Sequence, residues 1–525
     1  MNPMKYISEI PEDEISPTVS KLIDFIQQQA EELQALKDEI SRLKGQKTRP
    51  KIKPSNLDGK TKQSIEERKK NPLRKKRSKT KTLVVHEEKE LHPENLPQGS
   101  TFIDYKDYCV QDLIFTSWNI MYRRGRWKTV SGEYITADLP ENINGHFGAD
   151  LQAYILYQYY GCHVTQPLIF EQLSEMGVDI SKGKINDILI HGKSKFHAEK
   201  DQILSTGLSL SGHINVDDTG ARHDGHNGYC THIGNEYFAW FKSTQSKSRI
   251  NFLKLLTTGR DGYILNEDAL EYMQIQKLPK AVLEKLHPYS GKLFETEKHW
   301  AQLLESLGIE NKRHLRIAIE GGLIGNLIHH GYNKNMAIVS DDAGQFNIFL
   351  HALCWVHAER TIHKLVGFTP KHTALQEKTR SDIWGLYRAL KEYQTCPSQS
   401  QKKILESQFD ELFTRKTEWV PLNEALQRIY NNKSELLLVL SRPDIPLHNN
   451  LSENDIREYV KRRKISGSTR SDSGKLCRDS FTSLKKTCRK LGISFWEYLQ
   501  DRIHHRNQIP PLWEIMALQI SNAHG

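Results

Sequence analysis

Two short apolar segments, each followed by a pair of aspartates, constrain the fold of this chain more than any other feature. In the first, residues 213–222 (HINVDDTGAR), apolar and polar residues alternate up to Asp217 and Asp218. Period-2 alternation that stops near Gly220 predicts a strand that ends in a turn. Alone, this pattern favours a strand end with solvated acids, although rigidly held carboxylates also suit a metal site.

The same pattern recurs in residues 335–346 (NMAIVSDDAGQF). Here a short apolar strand ends at Ser340 and is followed by Asp341 and Asp342. Two such strand ends, side by side in one sheet, would direct carboxylates at one point. Hard divalent cations such as Mg²⁺ prefer oxygen ligands and keep several waters. The repeated pattern therefore shifts the interpretation of the acids from a strand cap to a metal site.

A third acidic residue, Glu453, lies in a predicted helix within residues 445–464 (IPLHNNLSENDIREYVKRRK). Asn450 and Glu453 have the spacing of a capping box, which is a complete structural explanation for this glutamate. The alternative is a carboxylate that binds metal beside phosphates, because many cations follow it. Those cations, which we predict to contact DNA, are Arg457, Lys461, Arg462, Arg463 and Lys464.

The segment after Asp342 has apolar residues at helical spacing, which predicts one helix from Phe346 to Arg360. Cys354 and His357 would then lie three residues apart on one face of that helix. Two ligands do not make a structural zinc site. A core cysteine beside a hydrogen-bonded histidine is the favoured interpretation.

Length, hydropathy and cysteine content exclude several classes of protein. A chain of 525 residues predicts two or three domains, and its longest apolar run, residues 436–440, is much too short to cross a membrane. The N-terminus lacks the features of a signal peptide, so we expect a cytoplasmic protein. The seven cysteines show no CxxC spacing, which favours reduced thiols over disulfides or a zinc ribbon.

The basic character of the chain is concentrated near the N-terminus. The net charge is +10, and residues 46–95 form a predicted flexible linker whose densest part contains Lys75, Lys76 and Arg77. Such an arm is suited to neutralising phosphates, and it is equally compatible with a solvated linker. Residues 1–45 contain a leucine-zipper-like heptad pattern, which favours self-association through residues 16–45 over a helix packed on its own domain.

The remainder divides into three parts. Residues 96–205 form a candidate DNA-binding domain, with strand-like pieces at 101–115 and 127–135 followed by helices. These helices are compatible with a helix-turn-helix motif, although a plain helical bundle explains them as well. Residues 206–464 carry the three acidic segments and a helical insertion. Residues 465–525 form a basic helical C-terminal segment, whose first helix we expect to follow a DNA backbone.

Together, these motifs resemble the IS66 family of bacterial insertion-sequence transposases, which are DDE enzymes. The resemblance rests on VDDTGAR, SDDAGQF, CWVHAER and NNLSENDIR in this order, and on the C-terminal segment through GISFWEYLQDRI. It implies an α/β fold with an RNase H-like catalytic core and helical insertions. The chain departs from the family at Asp218, Asp342 and residues 96–145, where the family has Glu, often Gly, and a cysteine-rich segment.

The resemblance also implies a function and a site. Asp217, Asp341 and Glu453 would be the catalytic, metal-binding acids, and the cofactor would be Mg²⁺ with Mn²⁺ as a substitute. The substrates would be the terminal inverted repeats of an element and target double-stranded DNA, in the bacterial nucleoid. A homo-oligomer and small accessory proteins of the element are the implied partners. The alternatives are a catalytically inactive, repressor-like relative and a related metal-dependent nuclease or integrase.

Overall fold

The computed structural model describes residues 85–92, 98, 100–106, 108–110, 112–140 and 145–524. The predicted coiled coil in residues 1–45, and Lys75, Lys76 and Arg77 of the basic linker, lie outside these residues. The chain forms two units, Met1–Thr116 and Ser117–Gly525. In the first unit the described residues are exposed and form no helix or strand, so the prediction of strands at 101–115 was wrong. Among the described residues, no strand pairs with residues 101–115.

The second unit is built on a five-stranded mixed sheet with the strand order β5-β4-β3-β8-β9. Pairing is antiparallel among β5, β4 and β3, and parallel among β3, β8 and β9. Two small two-stranded sheets, β1-β2 and β6-β7, accompany it. The strands are β1 (Arg126–Lys128), β2 (Tyr134–Thr136), β3 (His213–His223), β4 (His226–Gly234), β5 (Ala239–Thr244), β6 (Tyr263–Ile264), β7 (Leu293–Phe294), β8 (Ala337–Ser340) and β9 (Leu350–Leu353).

Strand β3 is longer than its sequence pattern predicts. The turn expected after the acids is absent, because β3 continues through Asp217 and Asp218 to His223. The chain turns instead at Asp224 (φ +45°) and Gly225 (φ +75°). Pairing with β4 along this whole length satisfies the backbone of β3 beyond the point where its apolar alternation ends. The prediction of further strands within residues 231–244 is confirmed.

The predicted helix from Phe346 to Arg360 is partly wrong. Residues 350–353 are strand β9, which pairs in parallel with β8. Apolar spacing of three and four residues imitated a helix, but the free edge of β8 offered these residues a hydrogen-bonded ladder. Phe349, with a positive φ of 52°, precedes the strand. The helix begins only at Trp355, with Cys354 in the N-cap position.

One large hydrophobic core joins the five-stranded sheet to helices that precede and follow its strands in the sequence. Ile214 and Val216 of β3 are fully buried in this core. The helices of the N-terminal and middle parts are α1 (Ala149–Leu156), α2 (Gln166–Glu175), α3 (Lys182–Ile190), α4 (Ser194–Leu210), α5 (Arg249–Leu256), α6 (Glu267–Ile275), α7 (Lys280–Leu286), α8 (Glu297–Ser306) and α9 (Lys312–His329). Ser181 caps α3 by accepting a hydrogen bond from the Lys184 amide, as the sequence predicted.

A second core lies in a helical insertion between β9 and the helix that carries Glu453. Its helices are α10 (Trp355–His363), α11 (Pro370–Thr395), α12 (Gln399–Thr414), α13 (Val420–Asn431) and α14 (Lys433–Leu436). The two ends of the insertion meet where the Trp355 amide donates a hydrogen bond to the Leu447 carbonyl (3.0 Å). The insertion therefore leaves the sheet and returns to it at one place.

The C-terminal helices are α15 (Asn450–Ser466), α16 (Asp472–Lys490), α17 (Phe495–Ile503) and α18 (Leu512–His524). Helix α16 packs directly on β5. Its Lys485, Lys486 and Lys490 lie against the carboxylates of Glu458 and Asp455 in α15. The expectation that α16 follows a DNA backbone was wrong for these lysines, because buried acids of the same chain neutralise them. Within the described residues, no helix has the length and apolar character needed to cross a membrane.

Two helical glycines, one closely packed and one in open space, provide a matched test of how α9 packs on β6. A Cβ on Gly325 of α9 would overlap the Ile264 carbonyl oxygen of β6, whereas a Cβ on Gly385 of α11 would meet nothing within 4 Å. We expect Gly325→Ala to cost about 2 kcal/mol or more through overpacking, and Gly385→Ala to stabilise its helix by about 0.5–1 kcal/mol. Thermal unfolding monitored by circular dichroism measures both. Equal shifts in Tm would contradict the close approach of α9 to β6.

Candidate active site

Asp217 and Asp341 are brought together by the register of two parallel strands. Asn215 of β3 pairs with Val339 of β8, and each aspartate follows two residues later. Burial and the nearby charge of Asp341 raise the pKa of Asp217 to about 7. The two carboxylates therefore repel each other in a partly desolvated position. The prediction that the two acidic segments lie side by side in one sheet is confirmed.

Backbone amides hold one oxygen of each of these carboxylates. The Asp218 amide donates to Asp217 Oδ1 (2.7 Å), and the Ala343 amide donates to Asp341 Oδ1 (3.2 Å). Next to Asp341, Ser340 Oγ donates to the Asp341 carbonyl (2.6 Å) and bonds to His351 Nε2 of β9 (2.8 Å). The turn that carries Asp341 is thus anchored to β9.

Asp218 serves a different purpose from its neighbour. Successive side chains of a strand point to opposite faces, so Asp218 projects away from Asp217. It accepts hydrogen bonds from Thr231 Oγ1 of β4 (2.5 Å) and from Gln345 Nε2 in the loop after β8 (3.0 Å). Its carboxylate thereby links three segments of the chain. Sequence reasoning missed Gln345, which has no signal beyond its position after the second acidic pair.

Glu453 lies in the first turn of α15, as predicted, beside one histidine and two arginines. Its Oε1 lies 3.6 Å from His357 Nε2 and 3.5 Å from Arg360 Nη1, and its Oε2 lies 3.9 Å from Arg457 Nη2. Its negative charge contributes, after burial and the charge of Asp341, to the raised pKa of Asp217. Glu453 therefore acts on Asp217 through its charge, from the first turn of a helix that packs on β3 and β4.

The start of α15 is fixed by Asn449, which is fully buried. Its Nδ2 donates to the Val216 carbonyl of β3 (2.8 Å), and its Oδ1 accepts from Asn215 Nδ2 (2.9 Å). Its backbone amide donates to Cys354 Sγ (3.2 Å). We call this set of contacts the Asn449 clamp. It joins β3, the start of α10 and the start of α15, which are the elements that surround the acids.

The predicted capping box at Asn450 and Glu453 is wrong. Asn450 is already the first residue of α15, Asn449 occupies the N-cap position, and no side-chain hydrogen bond caps the helix. The Asn449 side chain forms hydrogen bonds with Asn215 and Val216 of β3 instead. Asn215 was also missed by sequence reasoning, although a polar residue between buried apolar neighbours signals a buried hydrogen bond. Cys354 is a buried core cysteine, as favoured.

Comparison with known proteins identifies the family to which this arrangement belongs. The family model described as "Transposase IS66 family" matches residues 308–476, which include Asp341, Asn449 and Glu453. The uncharacterized protein y4jO of Sinorhizobium fredii (strain NBRC 101917 / NGR234) is 42% identical over 318 residues, which is 60% of this chain and 99% of that protein. The chain belongs to the IS66 transposase family. The family model begins after β3, so Asp217 lies outside the matched residues of this IS66 protein.

The inner side of α15 holds the helix on the sheet of the IS66 protein. His232 of β4 bonds to Ser452 Oγ (2.7 Å) and lies 3.1 Å from Asp455 Oδ2. One turn further on, the hydrogen bond from His163 and the Lys485 ammonium hold the pKa of Glu458 well below its usual range. These contacts fix the inner side of α15 against β4 and α16, whereas Glu453 contacts His357 and Arg360 of α10.

The predicted DNA-contacting cations of α15 are exposed or buried depending on the side of the helix on which they lie. Arg457, Lys461 and Lys464 are exposed. Arg462 is buried, and it donates to the Tyr159 carbonyl (2.8 Å) while its guanidinium stacks over the ring of Tyr159. The prediction that Arg462 contacts DNA was therefore wrong, because four consecutive cations cannot all face solvent on a helix packed on one side. Arg463 is partly buried and donates to the Gly220 carbonyl.

The donor set fits a hydrated Mg²⁺ ion better than a closed protein cage. The described part of the chain has no group of three or more His, Cys, Asp or Glu side chains that could hold a metal ion. Asp217 and Asp341 supply two hard oxygen donors, and Mg²⁺ is usually bound by one or two carboxylates, waters and substrate phosphates. Burial and the charge of Asp341 raise the pKa of Asp217, and a cation beside this carboxylate would favour its ionised form.

The raised pKa of Asp217 makes the stability of the metal-free protein depend on pH. A folded-state pKa of about 7 means that the unfolded chain ionises first, so stability falls as the pH rises from about 4 to about 7. The Asp217→Asn variant lacks this penalty and retains the oxygen acceptor. We expect it to be more stable than the natural protein by about 2–4 kcal/mol near pH 8 and equally stable near pH 4, in the presence of a chelator.

Thermal denaturation across this pH range measures the difference. The control is Asp261→Asn, which removes an exposed carboxylate and should leave the pH profile unchanged. A constant difference between Asp217→Asn and the natural protein at all pH values would contradict the raised pKa of Asp217.

The Asn449 clamp predicts that substitutions of two adjacent asparagines have different effects on stability. Asn449→Leu would leave Asn215 Nδ2 and the Val216 carbonyl buried without these hydrogen bonds, so we expect a loss of about 2–4 kcal/mol. Asn450→Ala changes only the first position of the helix and should cost under about 0.5 kcal/mol. Chemical denaturation compares the two variants. A larger loss for Asn450→Ala would support the capping box instead of the clamp.

Proposed function

We propose that this IS66 family protein cuts and joins DNA strands, with Asp217, Asp341 and Glu453 as its catalytic acids. The observation that carries the proposal is the adjacency of Asp217 and Asp341 on neighbouring parallel strands. The charge of Glu453, on the clamped helix α15, contributes to the raised pKa of Asp217. Carboxylates at such a position are suited to metal-dependent transfer of phosphodiester groups.

The sheet topology supports an RNase H-like core. Three antiparallel strands are followed by two parallel ones, so that the acids of β3 and β8 meet at one edge, and α15 then crosses β3 and β4. In this interpretation the insertion of α10 to α14 enters between the fifth strand and the helix that carries Glu453. We therefore propose that the α/β unit is an RNase H-like catalytic domain with a helical insertion.

Asp217 and Asp341 would hold Mg²⁺, or Mn²⁺ as a substitute, and Glu453 would complete the set of carboxylates. When bound, the metal would activate water or a DNA 3′-OH and stabilise negative charge on the phosphate. The protein's own contribution is to hold the carboxylates rigidly. Amides from Asp218 and Ala343 orient the two aspartates, and the Asn449 clamp sets the position of Glu453.

The chemistry on DNA needs no covalent bond to the protein. Water would attack a phosphodiester, forming a P–O bond while the bond to the 3′ oxygen breaks and a 3′-OH is released. That 3′-OH would then attack a target phosphodiester, and the 3′ oxygen of the target strand would leave. The bonds formed and broken are of the same kind in both steps, so no external energy source is required.

Cations around Glu453 would position the phosphates. Arg360 and Arg457 lie within 4 Å of the glutamate, and the Arg457 side chain is 68% exposed. Lys461 and Lys464 follow Arg457 at intervals of four and three residues, which places all three on one exposed side of α15. Such a row would follow a DNA backbone and orient the substrate without reading its sequence. We further propose that the protein acts in the bacterial cytoplasm as a homo-oligomer joined through residues 16–45, with accessory proteins of the element.

Strand transfer by the full-length protein tests the proposal. The substrates are duplex oligonucleotides taken from the DNA that flanks the reading frame, with a supercoiled plasmid as target and Mg²⁺ or Mn²⁺ present. We expect metal-dependent joining that falls by at least about 10³-fold in Asp341→Ala, because a metal-binding acid is lost. Asp342→Ala is the matched control and should retain activity within about tenfold.

Two results would overturn the assignment. Joining that persists in Asp341→Ala would exclude Asp341 as a catalytic acid. Binding of duplex DNA without cleavage or joining in either metal would identify a catalytically inactive, DNA-binding relative.

A further inference from the structure

Positive charge is concentrated in the first strand of the hairpin formed by β1 and β2 and in the residues just before it. Between Ser117 and Gly132 there is no acidic residue, and Glu133 is the first acid after this stretch. The same stretch contains four cations, which are Arg123, Arg124, Arg126 and Lys128. Among the described residues, none of these four forms a salt bridge. Their charge is therefore available to a partner.

Backbone pairing and a turn define the conformation of the hairpin. Arg126 pairs with Thr136 and Lys128 pairs with Tyr134. In the connecting loop, the Thr129 amide donates to the Glu133 carbonyl (2.8 Å), and the Glu133 amide donates to Thr129 Oγ1 (3.0 Å). Arg126 and Lys128 thus project from a folded ribbon, and Arg123 and Arg124 lie just before it in the chain.

Its two faces differ in chemistry. On one face, the Arg126 guanidinium lies 4.1 Å from the centre of the Tyr134 ring and the Lys128 ammonium lies 5.7 Å from it. Trp127 pairs with Ile135 on the other face. All six strand residues are exposed, and the Trp127 side chain is 65% exposed. Cations interleaved with aromatic rings are characteristic of surfaces that bind nucleic acid.

An exposed two-stranded hairpin is at best marginally stable in water, so a partner that covers it would stabilise it. The charge decides between classes of partner. Arginine and aromatic residues occur in both protein–protein and nucleic-acid interfaces, but a stretch with four cations and no acidic residue suits a polyanion. A two-stranded β-ribbon also has the width that the major groove of B-form DNA admits.

We propose that the β1–β2 hairpin is a DNA-binding ribbon that enters the major groove of duplex DNA. Arg126 and Lys128 would contact phosphates or base edges, with Tyr134 between them. Trp127 and Ile135 would provide apolar contacts at the rim of the groove. The inference rests on the proposed function only in that the substrate is duplex DNA, because the ribbon is separate in sequence from the acids.

Binding of the full-length protein to a fluorescent duplex of about 30 bp, measured by anisotropy over a series of salt concentrations, tests the ribbon. We expect Arg126→Gln combined with Lys128→Gln to weaken binding about tenfold, and to reduce the slope of log K against log salt by about two. The matched control, Lys298→Gln with Lys312→Gln, removes the same charge from exposed positions. It should change affinity less than about twofold. Since the ribbon residues are exposed, the ribbon variant should keep its Tm.

Each alternative outcome has a definite meaning. Unchanged affinity in the ribbon variant would overturn the proposal, as would loss of self-association, seen by sedimentation, without loss of DNA affinity. The latter result would identify a second copy of the chain as the partner. Strand transfer is scored separately: a protein whose DNA binding depends on the ribbon but which joins no DNA would refute the catalytic proposal and leave the ribbon in place.

Discussion

The buried side chain of Asn449 is the contact on which the arrangement of the acids depends. The Asn449 side-chain amide donates a hydrogen bond to the Val216 carbonyl and accepts one from Asn215. The Asn449 backbone amide donates a hydrogen bond to the Cys354 sulfur. An unsatisfied buried polar group costs on the order of 1–3 kcal/mol, so the three elements have little freedom to separate. The strand with Asp217 and the helix with Glu453 consequently keep a fixed relation.

This rigidity explains why the acids remain together despite their repulsion. Asp217 and Asp341 are held by parallel pairing between β3 and β8, and burial with the neighbouring charge raises the pKa of Asp217 to about 7. In a flexible loop the carboxylates would move apart and recover water. In the sheet they cannot, so the folded protein carries an electrostatic penalty at neutral pH that a bound cation would remove.

Much of this site follows from sequence patterns, and the failures have common physical causes. The adjacency of β3 and β8 was predictable because two similar apolar segments, each followed by a pair of acids, can lie side by side in one sheet, although β3 continues past its acids. The strand at 350–353 was not, since its apolar spacing suits a helix and only the edge of β8 selects the strand. Likewise, Asn450 has the local pattern of a cap, but a long-range contact gives the decisive role to Asn449. Charge patterns failed at Arg462 and Lys485, because a sequence does not show which cations face inward.

The insertion of α10 to α14 has a further consequence through its closed base. Its ends meet where the Trp355 amide bonds to the Leu447 carbonyl, and it has a hydrophobic core of its own. A segment anchored in this way behaves as a cassette: evolution can lengthen, shorten or exchange it while the distance across its base stays constant. Within the cassette, α11 to α14 can change in this way without touching the acids, whereas α10 must keep His357 and Arg360 beside Glu453.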